Sequence, residues 1–249
     1  AEQNMVGMAA GLARVGFRPV VYGLAAFIPI RTLEQIKLDI AHDNLPVVFI
    51  GDGAGFVYSH LGTSHQSTED IAASRSIPNL TVLSPADRFE MSACMEYAYN
   101  IKAPAYLRMG KSDLGDVHKM PLKHLQEGKI IKLREGLTGQ PCLISTGSMV
   151  IKAITIADEF DLTVWSAPSI KPLNPENICE ALKNYTSVIT LEEHSVIGGL
   201  GTAIAEIVSA NIPMRVLRLG VQDRFSKKCG SYSYLLHEHG LDITHLKKQ

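Results

Sequence analysis

The chain opens on Ala1-Glu2-Gln3 and runs into a stretch of small residues, Gly7, Ala9, Ala10, Gly11 and Ala13. A carboxylate at the head of such a segment has two uses. The macrodipole at a helix N-terminus favours the anion, which would make Glu2 an ordinary surface cap. Where water is excluded the proton is held more tightly, and the small residues behind it let a backbone or a flat ligand come close. Thr63-Ser64-His65-Gln66 presents an imidazole, with His60 shortly before it. An unperturbed pKa of about 6.5 suits imidazole to donate to a developing alkoxide and take the proton back, although a lone loop histidine is equally a polar surface group. Gly51-Asp52-Gly53 sets a carboxylate in a glycine-rich loop. Arg108 ends an apolar run, where a guanidinium could grip phosphate through paired hydrogen bonds or pair with a neighbouring acid. Glu192-Glu193-His194 resembles a catalytic cluster by eye, but the glycines that follow allow tight helix packing or subunit contact, and structural use is the favoured reading. His237, His239 and His245 near the C-terminus show no metal-ligand spacing and read as surface.

Strands and helices alternate along the rest, which predicts α/β architecture with mainly parallel sheets. After the opening helix come a strand over Val20 to Phe27, a helix over Thr32 to His42, a strand over Pro46 to Ile50 and a helix through Ala73, with Ser67 and Asp70 as a capping box. A strand at Leu80 to Pro85, a helix over Ala86 to Asn100 and a strand at Ala105 to Arg108 complete a first domain, residues 1–115. Residues 116–137 read as a linker with a short strand or two near Gly128 to Leu133. Residues 138–249 restart the pattern, with strands at 141–146, 162–166, 188–191 and 214–219. The helices between them run over 147–160, 174–182, 198–210 and 232–239. Two doubly wound domains follow.

A formal net charge of -1 with scattered basic residues gives no electrostatic footprint for nucleic acid. No apolar run approaches the roughly twenty residues of a bilayer span. The four cysteines, Cys94, Cys142, Cys179 and Cys229, are far apart in apolar or mixed surroundings. They read as buried free thiols, which points to a reducing, cytoplasmic compartment.

Ala1-Glu2-Gln3 with its small-residue helix resembles the pyrimidine-binding domain of transketolase-like thiamine diphosphate enzymes. Thr146-Gly147-Ser148, Ser169 to Leu173, Leu191 to Gly201 and Asp223-Arg224-Phe225 resemble the C-terminal domain of the same family. The resemblance implies that Glu2 hydrogen-bonds and activates the aminopyrimidine of the cofactor. It implies that Phe27 stacks on that ring, though a strand phenylalanine is also ordinary core. Leu24 stands where relatives carry a second aromatic, so contacts there are expected to be aliphatic. His65 would face the thiazolium and hydrogen-bond substrate oxygens, with His60 reaching the same pocket. Arg108 would bind the substrate anion, with Arg31 a second candidate.

Asp52 resembles the family's metal-binding Gly-Asp-Gly motif but lacks the asparagine that should follow about thirty residues on as a second hard oxygen ligand. It therefore reads as a strand-end residue lining the substrate funnel, with no metal ligand on this chain. The diphosphate-binding domain, with its Mg2+ or Ca2+, is expected on a partner subunit, the two chains forming a heterotetramer. The chain begins inside a motif that the family places after an earlier strand and helix, so an upstream segment is expected. Leu61 and Gly53 replace an acidic hydroxyl reader and a phosphate-gripping histidine, pointing to a less hydroxylated or unphosphorylated substrate. A 2-oxo-acid dehydrogenase beta subunit, a deoxyxylulose-phosphate-synthase-like acyl transferase, and a non-catalytic module of the same fold are the rival readings.

Overall fold

Residues 1–249 are described by a computed structural model, in which the alternating pattern folds as two five-stranded sheets. The first contains β1 (Val20–Leu24), β2 (Val48–Asp52), β3 (Thr81–Leu83), β4 (Ala105–Met109) and β8 (Ser169–Lys171), in the order β1-β2-β4-β3-β8. The second contains β5 (Ile131–Arg134), β6 (Cys142–Ser145), β7 (Val164–Ser166), β9 (Ser187–Ser195) and β10 (Arg215–Val221), ordered β10-β9-β6-β7-β5. All pairings are parallel except β3 with β8 and β5 with β7. The inner strands β2, β4 and β6, covered on both faces, explain the near-continuous apolar runs.

The helices are α1 (Glu2–Arg14), α2 (Ile28–Arg31), α3 (Leu33–Gln35) running into a π-helical turn Ile36–Ala41, α4 (Asp70–Arg75) and α5 (Arg88–Asn100) in the first half. In the second half they are α6 (Val150–Phe160), α7 (Pro175–Leu182), α8 (Leu200–Asn211), α9 (Tyr232–Glu238) and α10 (Ile243–Leu246). None is long and apolar enough to cross a membrane. Pro29 in the first turn of α2 suits a helix start, so the strand expected through Phe27 stops at Leu24. Asp87 and Asn174 cap α5 and α7 through their side chains. The capping box at Ser67 and Asp70 does not form: α4 has no side-chain cap, and Asp70 is turned into the interior.

The two halves interlock. Strand β8, which lies beyond the linker, joins the first sheet along β3. One core cluster likewise runs from Val6, Ile28 and Phe49 to Ile144, Ile178 and Val208 of α8 without a break. Cys94 and Cys142 are buried as expected, whereas Cys179 is half-buried and Cys229 exposed, because the latter sits in the loop before α9.

Candidate functional site

Four of the sequence-nominated residues meet at the carboxyl edge of the first sheet, where parallel α/β sheets present ligands. Glu2 lies in the first turn of α1, and its Oε2 accepts a hydrogen bond from Arg31 Nη1 at 2.8 Å. The Arg31 guanidinium stands 4.2 Å over the Phe27 ring. Phe27 meets the His65 ring edge-on with centroids 5.3 Å apart, and Ser64 Oγ lies 3.0 Å from His65 Nδ1. The hydrogen bond from Arg31 is the main reason that the Glu2 carboxyl is held below its ordinary pKa. Arg31 therefore touches Glu2 and Phe27 rather than standing apart as an anion site.

That contact tests whether the residues fit the implied cofactor ring. A guanidinium is planar and delocalised and offers N–H donors. Between Glu2 and Phe27 it donates to the carboxylate and stacks on the aromatic face, as a flat amino-heterocycle would. Leu24, half-buried at the end of β1, supplies aliphatic surface nearby in sequence. Arg31 is half exposed, and its long side chain can leave at small cost. The donor set and shape fit the ring.

His60 is exposed on the turn Ser59–Leu61 and forms no hydrogen bond or ring contact with Glu2, Phe27 or His65. Asp52 ends β2 and accepts hydrogen bonds on one oxygen from Tyr22 (2.8 Å) and Tyr58 (2.7 Å). The hydrogen bond to Asp52 is the largest cause that pushes the Tyr58 phenol up to about 12. Gly53 has φ +74°, and a Cβ there would strike the Tyr58 ring, so no side chain can replace the missing histidine.

Arg108 is not available to a substrate anion. It is 2 % exposed, and its Nε pairs with the fully buried Asp70 at 2.8 Å while Nη2 donates to the carbonyls of Ser67 and Glu193. Strand β4 carries it into the seam between the two domains. Glu192 accepts from the backbone N–H groups of Leu200 and Gly201 at the start of α8. Glu193 accepts from Phe56 N, Ser148 and Tyr232. His194 donates from Nδ1 to the Ser195 carbonyl and accepts at Nε2 from Ala72 N. The cluster that resembles catalytic machinery in the sequence thus ties the domains together.

Burial lowers the His194 pKa to about 4 and raises that of Glu192 to about 7. The two act in opposite directions on stability. Between pH 6.5 and 4 the unfolded chain protonates His194 and the folded chain does not, so stability falls as pH falls. Glu192 is protonated first in the folded state, so its contribution is lost as pH rises from 4.5 to 7. In wild type these offset. Glu192→Gln should remove the carboxylate side of that balance, so relative to wild type the variant loses about 3 kcal/mol as pH falls from 7 to 4.5, at roughly 1.4 kcal/mol per pKa unit. Urea midpoints across that range in wild type and variant check it, and parallel pH profiles would contradict it.

At the C-terminus His237, Asp242 and His245 do converge, with ligand atoms within 4.8 Å, which the spacing alone concealed. The carboxylate is already filled: Oδ1 accepts from the Thr244 and His245 amides, and Oδ2 faces both imidazole Nδ1 atoms at 3.1 and 2.6 Å. It serves as the cap of α10. His239 is not a surface group, because it is buried and stacked on Phe56 at 4.8 Å. Nothing in the sequence pattern marks Tyr58 or Ser226 as neighbours of the site. Asp70 had a signal beyond its place in the capping box: a charged Arg108 at the end of a buried strand demands a buried acid.

The fold and this edge define a two-domain α/β protein whose first sheet gathers Glu2, Arg31, Phe27 and His65 at its carboxyl end. Residues 1–116 match the family described as transketolase, pyrimidine binding domain, and residues 128–246 match transketolase, C-terminal domain. A subunit of the apulose-4-phosphate transketolase of Actinobacillus succinogenes is 32 % identical over 97 % of this chain and 79 % of its own length. A 1-deoxy-D-xylulose-5-phosphate synthase from Mannheimia succiniciproducens is 34 % identical, this chain spanning 40 % of it. A solved structure described as a split gene transketolase, inactive beta4 tetramer, superimposes with TM-score 0.90 at 34 % identity, covering 100 % of this chain and 80 % of that one. The chain belongs to the transketolase family, whose members are transferases dependent on thiamine diphosphate.

Proposed function

We propose that this chain is the pyrimidine-side subunit of a two-chain transketolase that moves a two-carbon ketol unit between sugar or sugar-phosphate substrates. The convergence of Glu2, Phe27 and His65 on one sheet edge carries the reading. When bound, thiamine diphosphate supplies the carbanion sink. Glu2 holds or accepts a proton at the ring, Phe27 packs its face with Leu24 beside it, and Arg31 yields its place. His65 hydrogen-bonds substrate oxygens. A partner subunit supplies the diphosphate-binding domain with Mg2+ or Ca2+, and the assembly is a heterotetramer. Free Cys94 and Cys142 support a cytoplasmic setting. With no side chain possible at Gly53 and an apolar Leu61, the donor or acceptor carries fewer hydroxyls or no phosphate.

The isolated chain with thiamine diphosphate and magnesium should show no turnover, and adding the partner should restore it. Turnover by the chain alone would refute the division of labour. Carbon dioxide released in step with product would favour the oxo-acid or synthase-like reading instead. Faster use of ordinary pentose phosphates than of a deoxy donor would defeat the substrate assignment.

A further inference from the structure

We infer that Ser226, in the second domain, is a positioning residue for His65 and acts through Gln66. This rests on the reading of His65 as the group that meets substrate oxygens. His65 lies on a single 3-10 turn, Thr63–His65, and so short a turn does not fix its own orientation. Its hydrogen-bond partner is Ser64 and its ring partner the edge of Phe27. Gln66, directly after it, is 6 % exposed, and its Oε1 lies 2.8 Å from Ser226 Oγ. An amide oxygen only accepts, so the serine hydroxyl donates its single proton there. Ser226 Oγ is also 2.9 Å from His239 Nε2. With the hydroxyl proton spent, His239 must carry a proton on Nε2 and donate it to Ser226 Oγ.

Both ends of this relay are anchored. His239 is 7 % exposed and stacks on Phe56, with the rings 25° from parallel. Phe56 N in turn donates to Glu193 at 2.6 Å. Gly55 and Ser67 exchange both backbone hydrogen bonds, at 2.8 and 2.9 Å, closing the loop that carries His65. On the second domain's side, Lys227 N donates to Glu238 at 2.7 Å, and Arg224 pairs with the same carboxylate. These hydrogen bonds tie the loop after β10 against residue 66. Gln66 is buried and Ser226 half-buried, so removing the serine hydroxyl leaves the buried Gln66 Oε1 without its donor, an unfavourable state for a polar atom shielded from water. Without Ser226, Gln66 would turn to find another donor and carry His65 with it. The second domain, which holds none of the residues around the ring, then sets the geometry of the first.

The test uses the assembled two-chain enzyme and the variants Ser226→Ala, Ser226→Thr, Gln66→Met, the Ser226→Ala/Gln66→Met double and His65→Ala. Misplacement of a catalytic group by an ångström can cost up to about a hundredfold. For Ser226→Ala we expect a kcat loss of about tenfold, with thiamine diphosphate affinity unchanged and the unfolding temperature lowered by no more than a few degrees. Ser226→Thr should restore kcat to within about twofold, and the double variant should be no worse than either single. Independently of turnover, hydrogen exchange on the chain alone should speed up about tenfold at amides 62–67 in Ser226→Ala and stay unchanged in α6. Wild-type kcat and exchange in Ser226→Ala, or losses that multiply in the double variant, would overturn the inference while an inactive His65→Ala left the reading of His65 intact. A fully active His65→Ala would instead remove that reading.

Discussion

Glu2→Gln in the assembled enzyme is expected to lower kcat by roughly a hundredfold or more, the usual scale for removing a proton-transfer or charge-stabilising group. Glutamine keeps the volume and the hydrogen-bond reach but cannot carry the charge or take the proton. Folding should be nearly indifferent. Glu2 and Arg31 form a solvent-accessible pair, with side chains 21 % and 50 % accessible, and water screens such pairs until they contribute little to stability. A large kinetic loss without a stability loss is therefore the signature. Arg31 adds a second readout, because its hydrogen bond is the leading cause of the depressed Glu2 pKa. Arg31→Gln should let that pKa rise toward its ordinary value, which carboxyl NMR titration of the chain can follow. A Glu2→Gln enzyme that assembles and turns over near the wild-type rate would leave the site reading without its central residue, and favour a non-catalytic module.

The sequence revealed the elements far better than the contacts between them. Parallel buried strands announce themselves as apolar runs, and β2, β4, β6 and β9 lie close to where those runs stand. Strand β8 was invisible because Ser169-Ile170-Lys171 is too short to show a period, and its pairing with β3 depends on the other domain. Glu2, Phe27 and His65 could be nominated because a motif preserves their order, while Arg31's place between two of them is a fact of side-chain geometry. Arg108 fails for the complementary reason. A guanidinium at a strand end is equally suited to an anion in solvent or to a buried acid, and only the position of Asp70, on another element, decides between them.

Arg108→Met should accordingly be a stability variant before it is a kinetic one. Asp70 is 0 % exposed, one of its oxygens has no partner, and the other takes both Arg108 and the Tyr106 hydroxyl, at 2.8 and 2.7 Å. Removing the cation leaves an uncompensated buried charge, a loss of about 3–5 kcal/mol. The two carbonyls that Arg108 Nη2 now satisfies would lose a donor as well. Urea unfolding of wild type and variant measures the loss, and an Arg108→Met/Asp70→Asn pair should recover part of it. Arg108→Lys, which keeps the charge but not the fork, gives the kinetic control. Assayed in the assembled enzyme at a temperature where it is folded, it should leave KM for a phosphorylated donor within about twofold. A tenfold rise in KM at unchanged stability would return Arg108 to the role of an anion ligand, because a seam residue walled off by Ser67, Asp70 and Glu193 has no route to substrate except through the fold itself.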